Sequence, residues 1–322
     1  MNLSVTKNRL TGEQIQKITE KIFDTDDCLA NYEELTDGFC NTAYRLTLSD
    51  GKRAVLKVAP KKGITMMSCE KGMMQTEVAA MKLAREQGIS GVPEVYGYDD
   101  SYELCDSIYF VMECLDGESY AAARGNMSEK EQAVVNAQTG EYLAGLNRIK
   151  GEKFGHFWMK ELQWEDWFTA FLHLMEAMIS DGERESVDIG IPYGELLEKL
   201  KQHRAYFDEV REPSFIHWDS WDGNIFIKNG HLIGMIDWER AMWAEGLMED
   251  RFRYHTKNED FLRGYGFDGL TESQKIRCAW YDIYLYLIMM FEGTYRHYET
   301  NEQYLWVHSL FVPIWEELKK KE

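Results

Sequence analysis

The eight residues His217-Trp218-Asp219-Ser220-Trp221-Asp222-Gly223-Asn224, followed closely by Ile236-Asp237-Trp238-Glu239, constrain this 322-residue chain more than any other stretch. Between the two, Ile225 to Lys228 is a β-rich run, Asn229-Gly230 is a strong two-residue hairpin signal, and His231 to Ile236 reads as the returning strand. A two-residue turn there sets Asn224 opposite Met235 and leaves Asp237 only slightly beyond. An amide and a carboxylate thirteen positions apart are thereby carried to the same end of one element.

Phosphoryl transfer needs these residue types. An acid orients and deprotonates the attacking hydroxyl, and hard oxygen ligands hold Mg²⁺ against the nucleotide phosphates. Four residues separate Asp219 from Asn224, the spacing of the kinase catalytic loop between its Asp base and its metal-binding Asn. The expectation is Asp219 as base, with Asn224 and Asp237 as metal ligands. A chance match in an acidic chain, with Asp222-Gly223 and Asn229-Gly230 as ordinary turns, is the competing reading. The hairpin and the second Asp weigh against it.

The motif resembles the aminoglycoside phosphotransferase and choline kinase family, whose catalytic stretch is usually His-Gly-Asp and whose metal Asp sits in Ile-Asp-Trp/Phe-Glu. Trp218 stands where Gly is usual, and Trp does not share the ease with which Gly takes a positive φ; no chemical group is lost. The resemblance runs from about residue 30 to about residue 290 and is densest over 217–250. It implies a bilobal, protein-kinase-like α+β fold, with a small β-rich lobe over 1–112 and a large, mostly helical lobe over 113–322. It also implies ATP, or GTP, and Mg²⁺ in the cleft between them.

Local signals fill in the first lobe. Thr11-x-x-Gln14 is a capping box ahead of Ile15, Ile18, Ile22 and Phe23 at helical spacing. Tyr32 to Leu35, Ala43 to Leu48 and Arg53 to Val58 read as strands, and counting outward from Asp50-Gly51 pairs Tyr44 with Lys57. Alternation places Val55 on the face of Lys57. An ammonium late on an apolar strand is costly unless an anion meets it. In a kinase-like lobe that anion is the nucleotide phosphate together with a helix Glu. Met66 to Gln87 is strongly helix-forming and offers Glu70 and Glu77; Glu77 is chosen because Glu77-Val78-Ala79-Ala80-Met81-Lys82-Leu83 resembles the family's helix. Gly38 is a thin phosphate loop. Ile108 to Met112 is a buried strand, after which Glu113 and Leu115 take the family's hinge position, where the main chain meets the nucleotide base.

Ser128-x-x-Glu131 and Thr271-x-x-Gln274 cap long helices of the second lobe, and the stripes Trp164, Trp167, Phe168, Phe171, Met175 and Leu196, Leu197, Leu200, Phe207 read as its core. Asp222, Glu239 and Glu245, interleaved with Trp238 and Trp243, are candidates for an acidic, aromatic wall meeting a cationic acceptor. Glu249 and Asp250 read as solvated or capping acids. The formal charge of −19 argues against nucleic acid or an anionic membrane as partner and suits a cationic small molecule. No signal peptide or spanning segment is visible, and six irregularly spaced Cys read as free thiols, so a cytoplasmic protein is expected. Nothing sets an oligomeric state. The acceptor is an aminoglycoside-like or other amine; choline, a sugar, a macrolide or another metabolite is the alternative within the same chemistry, and a nucleotide-binding regulator without turnover is the alternative outside it.

Overall fold

The computed structural model describes residues 6–36, 40–253 and 257–321, so Gly38 lies outside the described residues. Helix α1 (Gly12–Phe23) starts at the Thr11 capping box. A five-stranded antiparallel sheet follows, built from β1 (Leu29–Leu35), β2 (Thr42–Leu48), β3 (Arg53–Val58), β4 (Val95–Asp99) and β5 (Tyr109–Glu113) in the order β1-β2-β3-β5-β4. One face buries Tyr44, Leu46, Leu56, Val58 and Val111 against Ile15 and Ile18 of α1. The other presents Phe110 and Met112 to helix α2 (Met73–Glu86) and to the core of the helical part. Alternation along β3 puts Val55 and Lys57 on this second face.

Two registers differ from the sequence reading. Lys57 pairs with Ala43, and Tyr44 with Leu56. The β2–β3 connection is a three-residue loop closed by Leu48 and Lys52, with Gly51 at φ +86°, and the extra residue shifts every pair by one. The helix expected from Met66 is also broken. Ser68–Glu70 forms a 3-10 turn, and α2 begins only after Gly72, whose φ of +70° interrupts the helix.

The chain leaves the sheet through β6 (Glu118–Ser119), α3 (Tyr120–Ala123) and α4 (Glu129–Asn147). Next come β7 (Phe154–His156), β8 (Gln163–Trp164), α5 (Trp167–Arg184), α6 (Tyr193–Gln202), α7 (Arg204–Phe207) and β9 (Ser214–Ile216). The hairpin β10 (Ile225–Lys228) and β11 (His231–Met235) leads to β12 (Met242–Ala244), α8 (Glu259–Tyr265), α9 (Glu272–Tyr295) and α10 (Glu302–Leu318). The core stripes join in one cluster, where Trp167, Phe171, Phe207 and Tyr281 make edge and stacked ring contacts. No helix among the described residues is long and apolar enough to cross a membrane.

The β10–β11 hairpin carries the second correction. Its turn is the expected two-residue one, Lys228 pairing with His231, but a bulge shifts the register so that Ile225 pairs with Met235. Asn224 consequently faces Ile236, whose N–H donates to its carbonyl at 3.0 Å. The bulge brings Asp237 one position nearer to Asn224 than a plain ladder would.

Candidate active site

His217 to Asn224 leave the end of β9 as an irregular loop, and an irregular loop needs partners for its backbone. Glu249 supplies two of them: its carboxylate accepts the N–H of His217 at 3.0 Å and of Trp218 at 2.8 Å, and also Asn147 Nδ2 at 3.0 Å. Asp250 accepts the Ser220 N–H at 3.0 Å, and Arg251 Nε donates to the Ser220 carbonyl at 2.7 Å. Three consecutive side chains thus hold the loop. Glu249 is 1% exposed, so reading it as a solvated acid is wrong; burial pushes its carboxyl up to about 7 against the pull of the N–H groups.

Trp218 does take the left-handed conformation, at φ +61°. For a residue with a Cβ this costs about 1–2 kcal/mol. The indole recovers packing, stacked on Tyr284 at 5.4 Å between centroids with the Arg240 guanidinium 5.8 Å above it. His217 is buried, and burial pushes its imidazole down to about 4. It is therefore neutral near pH 7, its Nδ1 accepting the Asp219 N–H at 3.2 Å and its Nε2 donating to Ile236 O at 3.1 Å. Asp219 is half-buried, and Asn224 Nδ2 donates to both its carbonyl at 2.9 Å and its carboxylate at 3.2 Å. Burial pushes the Asp219 carboxyl up to about 7; the Arg240 guanidinium opposes the rise, and the nearby Asp250, Asp237 and Glu239 add to it.

Lys57 sits where β3, α2 and the end of the hairpin converge. Its Nζ donates to Glu77 at 2.6 Å, Asp237 at 2.7 Å and Glu239 at 2.9 Å. Of the two glutamates weighed for this helix, Glu77 is the one within reach; Glu70 caps its own turn and pairs with Arg296 at 2.9 Å. Burial opposes the charge on Lys57, yet three carboxylates outweigh it and hold the ammonium well above its ordinary range. The Glu77 carboxyl moves up, because it is fully buried beside two other acids. Asn41, just after the thin glycine loop, donates from Nδ2 to Glu239 at 2.6 Å. Asn41 Oδ1 and Glu77 Oε1 are buried without a hydrogen-bond partner.

The three acids chosen for an acceptor wall are not brought together. Glu239 belongs to the Lys57 cluster. Asp222 lies between Arg124 at 2.8 Å and Arg251 at 2.9 Å. Glu245 is gripped by Arg277 through Nε and Nη2, both at 2.8 Å, and accepts the Tyr281 hydroxyl. Asp222 and Glu245 are neutralised by arginines distant in sequence, which a count of local carboxylates cannot register, while Glu239 shares one ammonium with two other acids. At the hinge position, Glu113 pairs with Ala54 and the Leu115 carbonyl accepts the Gly117 N–H at 3.1 Å. Val55 is half-buried behind Lys57.

The profile of a family described as the phosphotransferase enzyme family matches residues 31–248. The chain belongs to that family. The match ends just before the residues that clamp the loop, Glu249, Asp250 and Arg251. No curated protein sequence matches the chain. Among solved structures, a thermostable mutant of the aminoglycoside phosphotransferase APH(4)-Ia superposes with a TM-score of 0.67 at 14% identity, over 95% of this chain and 100% of that one. The streptomycin–ATP complex of APH(2'')-IIa gives 0.60 at 16% identity, over 98% of each chain. A candidate fructosamine-3-kinase from Thermobifida fusca YX-ER1 gives 0.64 at 16% identity, over 93% of this chain and 98% of that one. At these identities the likeness is one of fold. This phosphotransferase therefore has a protein-kinase-like architecture, with a β-rich N-terminal part and a helical C-terminal part.

Proposed function

We propose that the chain transfers the γ-phosphate of ATP to a hydroxyl of a small molecule, with Asp219 as the base. The observation that carries this reading is one arrangement: a half-buried Asp219 braced by Asn224 at one end of a hairpin whose other strand delivers Asp237 and Glu239 to the Glu77-anchored Lys57. In this reading Lys57 holds the α- and β-phosphates, and Glu77 fixes the lysine's position. Asp219 accepts the hydroxyl proton as that oxygen bonds to the γ-phosphorus and the bond to the bridging oxygen breaks. The surrounding acids and burial keep the carboxyl near neutrality in pKa, which suits a base working around pH 7.

The donor set fits a divalent cation. Oxygens of Glu77, Asp237 and Glu239 lie within 4.8 Å of one another, a single ammonium faces all three, and Glu77 Oε1 and Asn41 Oδ1 want a partner. Asp237 and Glu239, with Asn224 beside Asp219, are the residues that would hold Mg²⁺. Bound there it supplies neutralisation of the phosphate oxygens. Other solved structures of this fold are complexes of APH(4)-Ia with AMP-PNP and hygromycin B, and of APH(2'')-Ib with ADP, which supports a nucleotide in the same cleft here. We read the acceptor only as a small hydroxyl compound, because Asp222 and Glu245, two of the acids drawn for an amine, are already paired.

An ATP-consumption screen against aminoglycosides, choline, sugars and macrolides tests the proposal. At least one acceptor should raise consumption above the basal rate, and Asp219→Asn should abolish the increase. An increase that survives in that variant contradicts the role given to Asp219.

A further inference from the structure

An open surface depression of about 490 Å³ adjoins the catalytic loop, and none of Lys57, Glu77, Asp237 and Glu239 lines it. That is the size of small-molecule sites. Arg124, Arg251 and Arg253 line it together with Asp222, Asp250 and Trp221. Of its carboxylates, Asp222 is shared by Arg124 and Arg251, and Asp250 accepts the Ser220 N–H and hydroxyl through one oxygen. Beneath the wall, buried Asp282 takes Arg253 Nη1 at 2.9 Å. A guanidinium carries five N–H donors in a planar fork, more than these partners accept, so among the described residues the wall offers donors in excess of acceptors.

Trp221 is 49% exposed. Its ring lies against Gly223, where an added Cβ would stand 2.2 Å from ring carbons, so there is room for the indole only because residue 223 is Gly. A planar apolar surface beside guanidinium forks matches a molecule with an oxyanion next to an apolar or planar body, and it is a poor match for an amine.

We propose that this depression binds an oxyanion, carboxylate or phosphate, borne by the phosphoryl acceptor. The assignment to the acceptor rests on the reading of Asp219 as base, since Trp221 and Asp222 follow it by two and three residues. The donor wall itself does not depend on that reading. It reverses the charge expected of the acceptor from composition.

The test is calorimetric titration of phenyl phosphate and of benzylamine into the full chain saturated with Mg²⁺ and AMP-PNP. Phenyl phosphate should bind and benzylamine should not. Arg124→Gln and Arg253→Gln should each weaken the anion by about tenfold or more. Arg124 is more than half exposed, so its loss does not threaten the fold. Equal anion affinity in both variants, no anion binding, or a preference for benzylamine overturns the site. A result of an adventitious anion only would appear as the first of these. Transfer to glycerol 3-phosphate or glycerate, compared with 3-amino-1,2-propanediol, decides the source. Faster transfer to the anionic diols, erased by the arginine variants, supports the acceptor assignment, whereas anion binding with no such preference assigns the depression to a free effector and overturns that half. If AMP-PNP itself does not bind, the phosphotransfer reading fails, while the anion titration without nucleotide still decides the site.

Discussion

At the scale of single residues, the account turns on side chains whose protonation is set by burial. Asp219 carries a carboxyl raised to about 7, so a base at this position is ionised only above that pH. The kcat/KM profile should therefore fall as pH drops through about 7, by roughly tenfold per unit, rather than near pH 4 where an exposed Asp titrates. An acid limb at pH 4 to 5 would show that the cleft does not raise this group. Glu249 acts at one remove, through the backbone of the loop. Glu249→Gln keeps the volume but turns one acceptor into a donor, leaving an N–H of His217 or Trp218 facing an amide. The expected cost is about 1–3 kcal/mol in denaturant unfolding, with a lower kcat and unchanged Mg·ATP affinity. Unaltered stability would mean that the loop holds itself.

At the scale of elements, the hairpin shows what sequence reading recovers and what escapes it. Turn chemistry at Asn229-Gly230 and alternation along β3 were enough to bring Asp237 near Asn224 and to set Val55 and Lys57 on one face, because these are local rules. The bulge in β11 was not legible, since it answers to a distant neighbour: a Cβ on Gly234 would lie 2.0 Å from the Gly91 carbonyl, and Met235 donates to that same oxygen. Glu249, Asp250 and Arg251 were missed for a related reason; their partners lie some thirty residues away, and in sequence they look like any acidic loop. The two glycines of this hairpin give a paired prediction. Gly234→Ala should destabilise by about 1–3 kcal/mol through overlap with the segment leading to β4. Gly230→Ala, with open space around it but φ +75°, should cost about 1 kcal/mol from backbone conformation alone. Thermal unfolding of the two variants checks the order, and equal losses would refute the steric account.

At the scale of the whole molecule, the charge of −19 does not by itself build an acidic wall, because Asp222 and Glu245 are paired with Arg124, Arg251 and Arg277. Beside the apolar packing of Phe110 and Met112, polar pairs join the β-rich and helical parts: Lys57 to Asp237 and Glu239, and Asn41 to Glu239. A ligand that engages both sides stabilises the fold by mass action, about 2.7 kcal/mol at a hundredfold excess over Kd. The central claim is that one end of the hairpin divides base from metal ligand, and the most direct measurement is Mg·ATP affinity together with transfer rate in Asp219→Asn and Asp237→Ala. The account predicts that Asp219→Asn loses about 10² to 10⁴ in rate while binding Mg·ATP nearly as the unaltered protein does, and that Asp237→Ala loses the binding itself. Asp219→Asn retaining its rate, or Asp237→Ala binding Mg·ATP unchanged, would contradict it.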